Sequence, residues 1–457
     1  MRTAVCLLAG AGLAAGALFG PTPPAPAAEQ AAPAPAPTAG GLGCAAASCH
    51  GGGRAGERFS EHSTWAADLT RVPPVPHDPH ANAYRVLFNA DSVRIARLLG
   101  CGPAHTNPTC LKCHAVPGAE AGAVAEGVGC AGCHGPEEKW LTVHYLPEWK
   151  ALSNREKAAT GFVPTKNVVA RASACVGCHV GDATRDVDHD LIAAGHPRLN
   201  FEMARFQSSP MYRKHWTDPA ADTGFEVKAW AVGQVASLRA AADLLRARAD
   251  RAGPWPEFAG QSCYACHQSV ADRDPKGGAS PTRALGWPAW EAWYTAAAGP
   301  AFDLTPGYRA GIEKELTALQ AVMNRPNPPR AAAKEKAAAL VAALDRWLAA
   351  TRDADDAGRL VVPTGTARRV AAELAQASAS AADWDSLAQQ YLGCAAVYHS
   401  AGGRAANPAW EAPLVQIRDG LRFPPATSGR WDSPRGFDAT RLTQVQANFG
   451  RLLGGDR

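Results

Sequence analysis

The feature that most constrains this chain is a recurring cysteine motif: four copies of C-x-x-C-H and one longer variant ahead of them. In chain order, the first motif is the variant, Cys44-Ala-Ala-Ala-Ser-Cys49-His50, and the second is Cys110-Leu-Lys-Cys113-His114. The third is Cys130-Ala-Gly-Cys133-His134, the fourth Cys175-Val-Gly-Cys178-His179 and the fifth Cys263-Tyr-Ala-Cys266-His267. Two thiols at such spacing add across the two vinyl groups on one edge of a porphyrin. The histidine that follows reaches under the ring and binds its iron. Zinc ribbons also pair C-x-x-C knuckles, but they do not require His directly after every second Cys. A dithiol redox site would occur once, in a βαβ setting, and structural disulfides leave the adjacent histidines unexplained. The expected cofactor is haem c, about five per chain and covalently attached, with His50, His114, His134, His179 and His267 as proximal ligands. Of the 13 cysteines, Cys6, Cys101 and Cys394 stand outside the motifs. Cys6 falls in the N-terminal apolar run, and the other two read as buried thiols rather than ligands.

Fourteen histidines leave nine beyond the proximal set. A six-coordinate haem needs a second axial ligand, usually His or Met. Only Met203, Met211 and Met323 lie beyond the initiator methionine, so bis-His ligation is the expectation, and with it low reduction potentials. His80, His105, His144, His189, His196 and His215 are the candidates for the distal positions. His144 follows the third motif by one short loop, in CHGPEEKWLTVH. His189 and His196 lie in HDLIAAGHPRLNFE, where Gly195 and Pro197 should end a helix. His80 follows Pro79, which suits the first helical position. His62, His77 and His399 are set aside as surface or core histidines.

The N-terminus reads as a secretory signal: Arg2, an apolar run from Ala4 to about Phe19, and a small-residue cleavage pattern at Ala25-Pro26-Ala27. Residues 1–27 are expected to be the signal peptide and 28–41 an Ala/Pro-rich linker. The chain is then exported to the periplasm or an equivalent compartment. Membrane association is expected only through an uncleaved N-terminal segment or through a partner. A net charge of +4 gives no basic field for nucleic acid, so the expected partners are redox proteins.

Residues 42–300 hold every motif and are rich in Gly and Pro. Much of the core in such a segment is porphyrin, so little regular structure is needed. Helices are expected over 83–99 and 225–252. Residues 301–457 change character, with apolar stripes at Ile312/Leu316/Leu319/Val322, Leu340/Leu344/Trp347/Leu348, Val370/Leu374 and Trp384/Leu387/Tyr391/Leu392. These predict an antiparallel helical subdomain, and the fold class is mainly α.

The haem segment resembles the cytochrome c-554 family of multihaem cytochromes. The resemblance is carried by Trp65…Asp78-x-His80-x-x-Ala83-Tyr84-x-x-Leu87, by CLKCHA at 110–115, and by GVGCAGCHGP with Trp140 and His144. The Cys175–His179 site followed by HDLIAAGHPRLNFE also looks like related exported multihaem proteins. The similarity covers roughly residues 44–270. It implies closely packed haem pairs, largely bis-His, with one haem sometimes five-coordinate, and electron transfer in nitrogen metabolism. The best-known member is tetrahaem, so the fifth motif and the helical extension depart from the pattern. Two functions follow: an electron carrier, or an oxidoreductase acting on hydroxylamine, nitrite or nitric oxide at one open haem. The C-x-x-C-K motif of one nitrite reductase class is absent, which favours the carrier.

Overall fold

Helix Phe225–Asp250 is apolar over most of its circumference: Trp230, Val232, Val235, Leu238 and Ala242 are all buried, and a narrow stripe through Arg239, Asp243 and Arg246 meets solvent. A helix with so wide an apolar surface must be packed by several other elements, and this one is. It packs against Arg330–Asp356, Val168–His179, Trp384–Ser400 and Met203–Gln207. The coordinates are a computed structural model. It describes residues 41–52, 60–66, 78–119, 121–208, 224–263, 289–362, 365–379, 381, 383–422 and 439–454. The expected signal peptide, most of the linker, His77, His215, Cys266 and His267 lie outside the described residues.

The described residues are mainly helical and contain no named strand; Gln261 and Trp290 form an isolated antiparallel bridge. The four apolar stripes of the C-terminal region correspond to helices Arg309–Met323, Arg330–Asp356, Thr366–Ser378 and Trp384–Ser400. In Arg330–Asp356 the buried face runs Ala333, Ala337, Leu340, Leu344, Trp347, Leu348 and Thr351. The alanines at one end allow close approach to Phe225–Asp250. At the other end Trp347 fills the gap, and its indole N–H donates to the Phe302 carbonyl at 2.9 Å. Two further helices, Pro408–Leu421 and Ala439–Gly454, carry no stripe named above. Pro408 starts the first of them and Pro413 lies inside it, so two prolines that usually punctuate a chain mask an otherwise regular helix.

Upstream, the expected 83–99 helix divides. A 3₁₀ turn spans Arg85–Phe88, Asn89 then caps a new helix by accepting from Ser92 N–H, and Ala90–Leu99 ends at Gly100 in the left-handed region. The interruption has a local cause: an Asn side chain competes with the backbone and favours the cap over the helix interior.

The main apolar cluster draws on residues from Val168 to Leu452. By contrast, the described part of 41–160 holds one small cluster, Leu87, Ala96 and Ala104. The fourth motif is built onto the large core. Its helix, Val168–His179, is capped by Asn167, which accepts from Val169 and Ala170 N–H. Asn167 also donates to Asp356 at 2.6 Å, and Val168 N–H donates to Asp355 at 2.7 Å. Residues at the end of Arg330–Asp356 thus fix the start of the helix whose last turn is the motif.

Trp347→Ala should lower the unfolding free energy by about 3–5 kcal/mol, the cost of an unfilled aromatic site. Chemical denaturation followed by far-UV circular dichroism measures it. A loss below about 1 kcal/mol would mean that the site collapses around the smaller side chain.

Candidate haem sites

Each regular motif that is fully described forms a helical turn. Cys110–His114 ends helix Pro108–His114, Cys130–His134 is a five-residue helix by itself, and Cys175–His179 ends helix Val168–His179. On a helix, positions i and i+3 share a face, so both thiols of a motif present to one edge of a flat group. After His134 the chain reverses. Gly135 takes φ +78°, a Cβ there would stand 2.1 Å from the Gly161 carbonyl oxygen, and Val163 N–H donates to the His134 carbonyl at 2.9 Å.

Distal candidates meet three proximal histidines. The ring centres of His50 and His144 are 6.1 Å apart, those of His80 and His179 5.9 Å, and those of His114 and His196 6.4 Å. An iron between two imidazoles needs two metal–nitrogen bonds of roughly 2 Å each, with roughly 1 Å more from each nitrogen to its ring centre, or about 6 Å in all. All three pairs stand at that span. The planes differ: His50 and His144 are within 15° of parallel, whereas the other pairs cross at 83° and 87°.

The second ring nitrogen of five of these six imidazoles is occupied. Nδ1 lies 2.7 Å from Asp78 in His80 and 3.1 Å from Glu61 in His50. It faces a backbone carbonyl in the other three: Ala83 at 2.6 Å for His114, Leu141 at 2.7 Å for His144 and Pro197 at 2.8 Å for His196. A donated Nδ1–H fixes the tautomer that leaves Nε2 as the metal-binding nitrogen. Burial favours the neutral ring as well. It pushes His179 down to about 4, helped by the neighbouring His80, and it lowers His114 and His196 below the ordinary value. Burial acts the same way on His80, but its hydrogen bond to the Asp78 carboxylate outweighs that and holds it above.

Thiols of different motifs meet. Cys44 and Cys130 share a hydrogen bond, as do Cys113 and Cys178. The bond from Cys130 holds the Cys44 thiol down to about 7 against its burial. The bond from Cys113, aided by Arg185 at 3.3 Å, holds Cys178 down to about 6. The first motif therefore adjoins the third, and the second adjoins the fourth. Two backbone contacts join these groups. Val128 N–H, just ahead of the third motif, donates to the His80 carbonyl at 3.0 Å, and His114 bonds Ala83, three residues past His80.

The remaining candidates lie elsewhere. His189 is beside Phe258, with ring centres 6.4 Å apart, on the chain leading into the fifth motif, and its N–H donates to Glu257 at 2.9 Å. His105 stacks on Phe88 at 4.3 Å and lines an apolar cavity of about 510 Å³ with Leu87, Val93, Ala96 and Pro103. His134 stacks on Phe162 at 5.9 Å. Cys263 is half-buried, and Cys394 is a fully buried free thiol. His62, set aside in the sequence, has its Nε2 buried without a hydrogen-bond partner. It lies where its own N–H donates to the His50 carbonyl and the nearby Trp65 indole donates to Val128. An imidazole nitrogen left free of protein partners between the first and third motifs is in a state suited to a metal ligand. No local pattern around His62 signals it.

The donor set fits haem: paired thiols on one helical face, an imidazole at the end of that turn, and a second imidazole across an iron-sized gap. Residues 76–135 match the family model described as cytochrome c554 and c-prime. No curated protein and no solved structure matches the chain. The matched stretch contains His80 and all of the second and third motifs, and its similarity to the cytochrome c554 and c-prime family supports a c-type cytochrome assignment for this part of the chain.

Proposed function

We propose that this is an exported multihaem cytochrome that holds about five haems and passes electrons between redox partner proteins. The observation that carries the proposal is the set of three imidazole pairs near 6 Å, placed in motifs that touch one another. Bound haem c supplies one-electron iron chemistry. The chain's residues do the rest. Cysteine thiols tether each ring at one edge. Nδ1 acceptors hold each imidazole in a fixed tautomer and plane. Paired histidines would hold the iron from both sides, which would exclude substrate and favour simple electron transfer. The contact order runs from the first motif to the third, then to the fourth and the second, so haems attached there are neighbours in series. On this reading His50/His144, His179/His80 and His114/His196 are the axial pairs at the first, fourth and second motifs. His189, beside the chain leading into the fifth motif, is the candidate there, and His62, His105 and His215 complete the supply. A signal-directed export route is consistent with haem attachment outside the cytoplasm. Among the described residues, no helix is long and apolar enough to cross a membrane.

Ferric spectra test this directly. Parallel imidazoles both raise the same iron d orbital and split the pair strongly, whereas crossed imidazoles each raise a different one and leave the pair nearly degenerate. Electron paramagnetic resonance of the holoprotein should show a rhombic low-spin signal from the first motif and highly anisotropic low-spin signals from the second and fourth. The mass of the intact chain should give about five haems. A high-spin component of about one haem per chain, shifted by nitrite or nitric oxide, would instead favour the oxidoreductase reading.

The carboxylate behind His80 supplies a second test. Asp78 draws the Nδ1 proton and makes the ring a stronger donor, which stabilises oxidised iron. Asp78→Asn should raise one haem midpoint by about 60 mV, a tenfold change for a one-electron couple. Potentiometric titration with optical detection reads the shift. An unchanged set of midpoints would remove Asp78 from the ligand's support.

A further inference from the structure

A buried charge cluster lies between the fourth motif and the chain entering the fifth. Its cavity, about 30 Å³, is lined by Val180, which follows His179, and by Ala259, Arg198, Arg248, Glu291 and Tyr294. Such a volume admits a water. Both buried cations are committed. Arg198 pairs with Asp385 at 2.8 Å, and Arg248 pairs with Asp186 at 2.6 Å, which Arg251 also reaches from the rim. Glu291 is the carboxylate left over. It is 5 % exposed, and among the described residues no side chain donates a hydrogen bond to its carboxylate.

Glu291 is also held in an unusual backbone state. Its φ is +47°, in the left-handed region that a residue with a Cβ rarely adopts. Its N–H donates to the Gly260 carbonyl, and Ser262 N–H donates to Ala289, so the segment is clamped to the residues just before Cys263. A Cβ on Gly260 would stand 2.5 Å from Glu291 Oε1, which locates the carboxylate against that segment. Beside it, both amide atoms of Gln261 and the hydroxyl of Ser262 are buried without partners. Strained, buried polar groups of this kind persist where function needs them.

We propose that Glu291 is a proton-binding site linked to reduction of the haems at the fourth and fifth motifs, so that this end of the cytochrome takes up a proton with an electron. The inference rests on haem attachment as proposed above. In each cycle an external one-electron donor reduces a ferric iron, a solvent proton bonds to a Glu291 carboxylate oxygen, and both leave on reoxidation. The added negative charge on the iron favours the protonated carboxyl, and the committed arginines cannot neutralise it. The described groups facing Glu291 are Arg248, Arg198, Asp385, Asp186 and Tyr294, with Glu257 acting on Arg248. Burial pushes Glu291 up to about 7, and Arg248 and Arg198 pull it back. The sign follows. Well below that value the carboxyl is protonated in both redox states and the potential is flat. Above it, reduction brings a proton, and the potential falls as pH rises, until the carboxyl is ionised in the reduced state too.

The test is potentiometric titration of the holoprotein from about pH 6 to about pH 9, with haem per chain measured by mass. At least one midpoint should fall above neutrality with a slope approaching about 59 mV per pH unit, one proton per electron. Glu291→Gln should abolish that slope, and Glu291→Asp should retain it. A slope that survives in the Gln variant, or a flat wild type with its haems attached, overturns the inference. A chain without haems overturns the functional reading beneath it instead. If the Gln variant does not fold, redox-difference infrared spectra of the wild type decide. A protonated-carboxyl band that appears on reduction supports Glu291, and its absence overturns it.

Discussion

The feature on which the proposed function depends is the facing of imidazoles from distant parts of the chain, with ring centres 5.9–6.4 Å apart in three pairs. Local structure near the motifs supports this arrangement. The Nδ1 acceptors Asp78, Glu61, Ala83, Leu141 and Pro197 set the ring planes. The short helices ending at His114, His134 and His179 place thiols and imidazole on one turn. In the described part of 41–160 the apolar side chains form only the Leu87, Ala96 and Ala104 cluster. On the proposed function, a segment with so little core of its own would gain stability from ligation and from the large flat groups it tethers.

The C-terminal helices answer a different requirement. Helix Phe225–Asp250 is buried over most of its surface and touches both the fourth-motif helix and the C-terminal helices. On the proposed function, rigid support of this kind would keep the histidine ligands from relaxing as iron changes charge and so lower the reorganisation that accompanies electron transfer. The ion pair Arg198–Asp385, which joins the fourth-motif region to the C-terminal helices, and Arg248–Asp186, which ties helix Phe225–Asp250 to the chain after the fourth motif, sit in the same zone as Glu291. Their worth lies in fixing geometry more than in net stability, since desolvation offsets most of their attraction.

Much of this was legible in the sequence. The C-x-x-C-H copies are contiguous, so a single helical turn delivers their chemistry, and the amphipathic stripes at 312–322, 340–348, 370–374 and 384–392 correspond to helices because each stripe is local. Where local signals conflicted, the reading failed. Asn89 split one expected helix, and Pro413 hid another. His62 carried no signal at all, because its orphaned Nε2 is defined by neighbours brought from the first and third motifs.

The sequence by itself therefore carried the expected covalent chemistry, in which thiols stand beside which histidines, and determined that the remaining fold is helical. Only the tertiary structure decided which second histidine meets which first one, which motifs adjoin, and which carboxylate is left without a cation. The physical reason is range. Covalent attachment is written in neighbouring residues, whereas His50 with His144, His80 with His179, and Glu291 with the fifth motif's entry segment are long-range pairings. They are set by how the packed helices and loops return on one another, and no spacing in the chain encodes that return.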